Sequence, residues 1–202
     1  MEKGAIHRRL RRVLAGDERA VVLFEDETIL RLFPPLRARW AWKGEQAAVR
    51  VSGSNARLVL YGAINVRTGH RLLMRGGSMR SMAQGWFQAF LRVIHRAYPG
   101  RAVWVVTDAA RSHTAPGTLA LAAALGIHFL WLPKQWSELN AMDQLWKERK
   151  SDISANRQYP TVDEQADWAE RFILGLSPRQ ALTKAGVLSG NFWLGDLCEN
   201  FC

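Results

Sequence analysis

Cysteine is nearly missing from this chain: Cys198 and Cys202 stand at its extreme C-terminal end, with no histidine beside them. Such a pair supplies neither a zinc-binding set nor a disulfide framework, and it fits a reducing, cytoplasmic setting. Also missing is any apolar run near the ~18 residues that a membrane span needs. Arg8, Arg9, Arg11 and Arg12 make the N-terminal stretch basic, but no apolar segment follows them, so neither a signal peptide nor a membrane partner is expected. Internal repeats and low-complexity segments are absent. Acidic residues are few, 18 against 28 lysines and arginines, which leaves a net charge of +10. A surface with that excess attracts polyanions. The excess is uneven: 25 of the 28 cations precede residue 161, and the last 42 residues hold three basic against six acidic side chains. Arginine predominates, and its planar fork suits bidentate phosphate contacts. Charge alone does not separate a nucleic-acid enzyme from a ribosomal or membrane-surface protein.

What is present is a globular composition. Hydrophobic residues make up 48% of 202, enough for one domain with a real core. Residues 5–15 read as an amphipathic helix, with Ile6, Leu10, Val13 and Leu14 on one face. Ala20–Glu25 reads as a short buried strand that delivers Asp26 at its end. Residues 32–44 read as a loop, residues 46–52, 57–66 and 70–75 as strands, and residues 81–98 as a helix stopped by Pro99-Gly100. Residues 102–107 (AVWVVT) form a continuous apolar run, hence a strand buried on both faces that ends at Asp108. A helix over 115–125 with Thr114 as its N-cap, a strand over 127–132, a helix over 139–156 and two tail helices near 163–174 and 178–186 complete the chain. An antiparallel meander that passes into alternating helix and parallel strand predicts an α/β fold: a mixed sheet with helices on both faces.

Three carboxylates occupy informative places in that frame. Asp26 and Asp108 lie at the carboxyl ends of strands, where open α/β sheets bind ligands. On the helix over 139–156, Leu139, Met142, Leu145, Trp146 and Ile153 form the apolar face. Asp143 lies at the border of that face, with Lys147 and Lys150 on its side. Carboxylates brought together in this way suit hard divalent cations such as Mg²⁺ or Mn²⁺. The same three residues also read as a strand-end cap, a loop residue and a solvated helix charge, and spacing does not decide between the two readings.

The motifs FEDET (24–28), WAWKG (40–44), TDAARSHTA (107–115) and LPKQWSELNAMDQLWK (132–147), in this order, resemble the catalytic domain of transposases of the Tc–mariner superfamily. Among these the chain looks closest to the bacterial insertion-sequence 630 family. The resemblance covers about residues 20–156, and 34 residues separate Asp108 from Asp143, the spacing typical of that superfamily. It implies a ribonuclease-H-like fold and a DDE/D triad of Asp26, Asp108 and Asp143 holding two Mg²⁺ or Mn²⁺ ions. It also implies cleavage at element ends followed by strand transfer into TA sites. Two departures stand out: Ala141 where proline is usual, and Asp143 where glutamate is common, although the mariner branch uses aspartate there. Around the triad, Arg37, Arg39, Lys43, Arg111, His113, Lys147 and Lys150 are candidates for DNA contact. Glu25 and Glu27 are expected to be solvated or paired rather than catalytic. Trp40 and Trp42 among the loop cations can grip DNA or a partner subunit, or pack over the sheet.

The expected organisation is a linker helix over 1–19, a ribonuclease-H-like catalytic domain over 20–160 and a helical tail over 161–202 packed on it. Relatives carry an N-terminal helix-turn-helix region of roughly a hundred residues, and this chain starts just before the first strand. The expectation is therefore the second product of a split element or a truncated copy, with mainly salt-sensitive phosphate contacts. Expected partners are double-stranded DNA, a second copy in the DNA complex and a separately encoded helix-turn-helix protein, at the bacterial nucleoid. The alternatives are a related nuclease of the same fold and an inactive DNA-binding or regulatory remnant.

Overall fold

The computed structural model describes residues 3–17, 19–34, 38, 40–45, 48–49, 51–77, 84–134, 136–149 and 156–194. Five strands form one sheet: β1 (Val21–Arg31), β2 (Arg57–Asn65), β3 (Arg71–Arg75), β4 (Val103–Thr107) and β5 (Ile127–Trp131), in the order β3-β2-β1-β4-β5. Pairing is antiparallel for β1–β2 and β2–β3, and parallel for β1–β4 and β4–β5. The mixed sheet expected from the element order is therefore present.

Alternation along β1 divides the core into two layers. Val21 and Leu23 join Val59, Tyr61, Val103 and Val105 beneath helix α2 (Gln84–Ala97), which buries Phe87, Phe90, Leu91 and Ile94. Val22, Phe24 and Leu30 face the other way, toward α1 (Lys3–Gly16), α5 (Ala141–Arg149), α6 (Val162–Gly175) and α7 (Pro178–Lys184). Ile6 and Leu10 of α1, Trp146 of α5 and Ile173 of α6 are fully buried in this second layer. Each side chain so buried contributes roughly 1.5–3 kcal/mol, so the flanking helices share one core with the sheet. Arg75 reinforces the attachment of α6: it bonds Glu170 at 2.8 and 2.7 Å and pairs with Asp167. Arg71 donates to the carbonyls of Ile173 and Leu174 at the C-terminal end of α6, at 3.2 and 3.0 Å.

Several expectations need correction. Strand β1 continues to Arg31, so Asp26 lies within it. The strand persists because Thr28–Arg31 pair with β2 (Leu30 opposite Leu58) after the parallel pairing with β4 has ended at Phe24. The strand expected over 46–52 is absent at Ala48, Val49, Val51 and Ser52; Gln46, Ala47 and Arg50 lie outside the described residues. The helix expected over 115–125 is divided into α3 (Arg111–Thr114) and α4 (Pro116–Ala124). Ala115 precedes α4 without a side-chain cap, while the Thr114 hydroxyl donates back to the Ala110 carbonyl at 3.1 Å. The helix expected over 139–156 begins as a 3-10 turn (Ser137–Leu139), breaks at the extended Asn140, and resumes as α5. Asn156 has a φ of 55°, outside the right-handed helical range.

Candidate active site

Asp26, Asp108 and Asp143 line one cavity of about 360 Å³, together with Leu132, Pro133, Lys134, Trp136 and Asn140. Each carboxylate arrives on a different element. Asp26 points from β1 toward the α5 side, because Glu25 and Glu27 take the opposite face. Asp108 follows β4 directly, and its backbone turn is closed by the Ala110 amide, which donates to Oδ1 at 3.0 Å. Asp143 sits in the first turn of α5, where the helix dipole favours an anion.

The third carboxylate depends on how α5 docks. The Asn140 amide donates to the Glu25 carbonyl at 2.8 Å, and its Oδ1 accepts from the Met142 amide at 2.9 Å. Asn140 thus caps α5 and ties it to the residue before Asp26. Trp146 Nε1 donates to the Asp26 carbonyl at 3.4 Å, a long second tie. Between these ties the helix lies close to the sheet because residue 62, opposite Asp26 on β2, is glycine. A Cβ there would meet Met142 Cε and Trp146 Cζ2 at 2.5 Å each.

The site is electrostatically strained. Burial, then the charges of Glu27, Asp143 and Asp108, push the Asp26 carboxyl up to about 8. Asp143 Oδ2 is buried and forms an ion pair with Lys147 Nζ at 2.8 Å. Asp108 is the outermost of the three, with 68% of its side chain exposed. A hydrogen bond from His113 holds its carboxyl below the usual value, against partial burial.

Behind the cavity, on the α2 face, lies a second polar group. Thr107 Oγ1 donates to Glu25 Oε2 at 2.7 Å, while Glu25 Oε1 is buried without a partner. Burial, with the nearby Glu27 charge, holds the Glu25 carboxyl well above the ordinary range. His113 Nε2 stands 2.9 Å from Glu27 Oε1, and Nδ1 stands 2.9 Å from Asp108 Oδ1 and 3.1 Å from the Asp108 carbonyl. Glu25, Glu27 and His113 present ligand atoms within 4.8 Å of one another, the one potential metal-holding group of this kind among the described residues. Burial lowers the affinity of His113 for a proton, but the bonds to Asp108 and Glu27 outweigh it and raise the group to about 11. His113 thus links Glu27 on the α2 face to Asp108 at the cavity.

The remaining candidates are scattered. His113, offered by the sequence as a DNA contact, is fully buried, so the folded protein keeps it out of reach of DNA. Glu25 and Glu27, expected to be solvated or paired, are paired, Glu25 with Thr107 in the interior and Glu27 with His113. Arg111 is exposed at the start of α3, and Lys147 is exposed and paired with Asp143. Lys43 is exposed on a segment where Trp40 and Trp42 are 99% and 83% exposed, so neither ring packs over the sheet. Arg37, Arg39 and Lys150 lie outside the described residues. Sequence reasoning missed Lys134 at the cavity and the role of Gly62. Periodicity carried no signal for either; only the pairing of residue 62 with Asp26 reveals the second.

Comparison with known proteins identifies the family and the fold. The sequence pattern of the DDE superfamily endonuclease family matches residues 21–165. An insertion element IS630 uncharacterized 39 kDa protein from Shigella sonnei is 25% identical over 159 residues, covering 78% of this chain and 46% of that protein. The chain thus spans about half the length of that curated relative. The mariner Mos1 paired-end complex with Mg superposes with a TM-score of 0.72 at 15% identity, over 98% of this chain and 60% of that one. The isolated catalytic domain of Mos1 mariner transposase gives 0.62 at 11% identity, over 96% and 91%. At these identities the structures establish the fold, which is ribonuclease-H-like.

Proposed function

We propose that this chain, which belongs to the DDE superfamily endonucleases, is the catalytic domain of a DNA transposase whose metal ligands are Asp26, Asp108 and Asp143. The observation that carries the reading is the convergence of these three carboxylates, from three elements, on one cavity. The donor set fits Mg²⁺ or Mn²⁺: hard carboxylate oxygens around one cavity, and an Asp26 whose charge its neighbours resist. Held by these residues, divalent cations would supply Lewis acidity for phosphodiester cleavage, favouring the attacking oxygen and stabilising the leaving one.

The chain's own residues supply position and charge. Asp26, Asp108 and Asp143 would together hold the divalent ions. Asn140 and Trp146 hold Asp143 against β1, and the exposed Lys134 at the cavity can meet a phosphate oxygen. Water attacks a phosphodiester at an element end and releases a 3′-hydroxyl; that hydroxyl then attacks a target phosphodiester in line and displaces the target strand's own 3′-hydroxyl, so no covalent enzyme intermediate is required. Duplex DNA is the substrate, with TA as target and a second copy of the chain in the DNA complex. Solved relatives in transposon-end complexes, such as the Mos1 paired-end complex with left transposon end, favour this over a nuclease that only hydrolyses. Among the described residues no helix is long and apolar enough to cross a membrane.

The test incubates the chain with duplex carrying the element's ends and a TA-containing plasmid, in Mn²⁺ and in EDTA. Wild type is expected to nick the ends and join them to the plasmid in Mn²⁺, and Asp108→Asn to lose both. Nicking that persists in EDTA or in Asp108→Asn refutes the assignment, and nicking without joining reduces it to a nuclease.

A further inference from the structure

The best-built polar feature outside the cavity is the line Glu27–His113–Asp108. It starts on the α2 face of β1, passes through the buried imidazole and ends on an exposed carboxylate at the cavity. Both ring nitrogens face carboxylate oxygens at 2.9 Å. The imidazole therefore bridges the two carboxylates, one at each ring nitrogen.

The ring is also held from the side. Phe87 of α2, itself fully buried, lies against it with centroids 4.0 Å apart and planes at 34°. The short helix that carries His113 is tied down as well: Thr118 Oγ1 donates to the Ser112 carbonyl at 2.8 Å. Asp108, by contrast, stands on a loop with most of its side chain in solvent. An exposed aspartate samples several rotamers unless something fixes it. What fixes Asp108 arrives from His113 and from the Ala110 amide, and both contacts end on Oδ1. Oδ2 is thereby left available to a cation.

We propose that Glu27 and His113 form a buried strut that sets the rotamer of Asp108 and so fixes where its metal-facing oxygen stands. Both are positioning residues: neither lines the cavity. The inference rests on the reading of Asp108 as a metal ligand. Partners that orient a metal ligand in this way typically contribute 10- to 100-fold to affinity.

Two substitutions separate the ends of the strut. In His113→Asn the amide nitrogen falls near the place of Nδ1 and can still bond Asp108. In His113→Gln it falls near Nε2, keeps Glu27 and abandons Asp108. Mn²⁺ affinity of the full chain without DNA, read by electron paramagnetic resonance, is compared with the melting temperature in EDTA. The asparagine variant, which keeps the Asp108 contact but loses its anchor on Glu27, is expected to weaken about tenfold or less, and the glutamine variant roughly 100-fold, whatever its melting temperature. Equal affinity for the two variants, or affinity that simply follows melting temperature, overturns the strut. If both variants unfold, Glu27→Gln and Glu27→Ala remove the same charge but only the first retains an acceptor for His113. The alanine variant is then expected to bind Mn²⁺ about tenfold more weakly than the glutamine one, and parity between them overturns the strut. Asp108→Asn serves as control: if it binds Mn²⁺ like wild type, the ligand assignment fails, whereas its loss beside an unaffected His113→Gln defeats the strut alone.

Discussion

Replacing Asp26 by asparagine should stabilise the metal-free protein while destroying its metal site. Burial and the charges of Glu27, Asp143 and Asp108 raise the Asp26 carboxyl from its ordinary 3.8 to about 8. A carboxyl raised on folding holds a proton that the unfolded chain releases, so stability falls as pH climbs from near 4 to near 8 and levels off above. Each pH unit in that window is worth about 1.4 kcal/mol, which sets a ceiling of roughly 6 kcal/mol. Relaxation of the neighbouring carboxylates reduces this, and about 2–4 kcal/mol is the expected gain at pH 8. For a chain of this length that corresponds to a rise of about 5–10 °C in melting temperature. Thermal melts in EDTA from pH 5 to 8.5 read the effect: the gap between Asp26→Asn and wild type should widen with pH. Added Mn²⁺ should raise wild type and leave the variant unmoved, reducing or reversing the gap. A variant no more stable than wild type at pH 8, or a gap that does not grow with pH, would refute the reasoning that the site is held together against its own charge.

Three further outcomes follow from the same geometry. Gly62→Ala should cost about 1–3 kcal/mol by forcing Met142 and Trp146 away from β1, and should weaken Mn²⁺ binding because Asp143 moves with α5; urea denaturation and calorimetry check both. Asn140→Ala should lose about 1–2 kcal/mol, since it removes the cap of α5 and its bond to the Glu25 carbonyl together; urea denaturation reads this, and an unchanged midpoint would contradict the docking role. Trp40→Ser should leave the melting temperature within about 1 °C, because the ring packs on nothing, yet should weaken duplex binding in a filter or anisotropy assay if the indole meets DNA.

Much of this was legible in the sequence because period and chemistry agree along it. The apolar run AVWVVT could only be an interior strand, and it placed Asp108 correctly beyond the end of β4. The apolar stripe Met142, Leu145 and Trp146 placed Asp143 at the border of its helix, where the structure finds it lining the cavity. Asp26 was harder. The charged stretch EDE looked like a strand end, yet β1 runs through it because Glu25 and Glu27 find partners in Thr107 and His113 on the far face. Such partners, 82 and 86 residues away in sequence, leave no periodic trace. The basic excess misled in part: Arg71 and Arg75 serve the packing of α6 on β3. Gly62 carried no local signal either, since its role is room for side chains from another element.

The central claim is that Asp26, Asp108 and Asp143 together hold the catalytic metal. Calorimetric titration of Mn²⁺ into wild type and into Asp26→Asn, Asp108→Asn and Asp143→Asn, each with bound duplex, tests it most directly. The account predicts saturable binding to wild type, weakened at least tenfold or lost in every variant. Wild-type affinity retained in all three variants, or no binding to wild type on DNA, would contradict it.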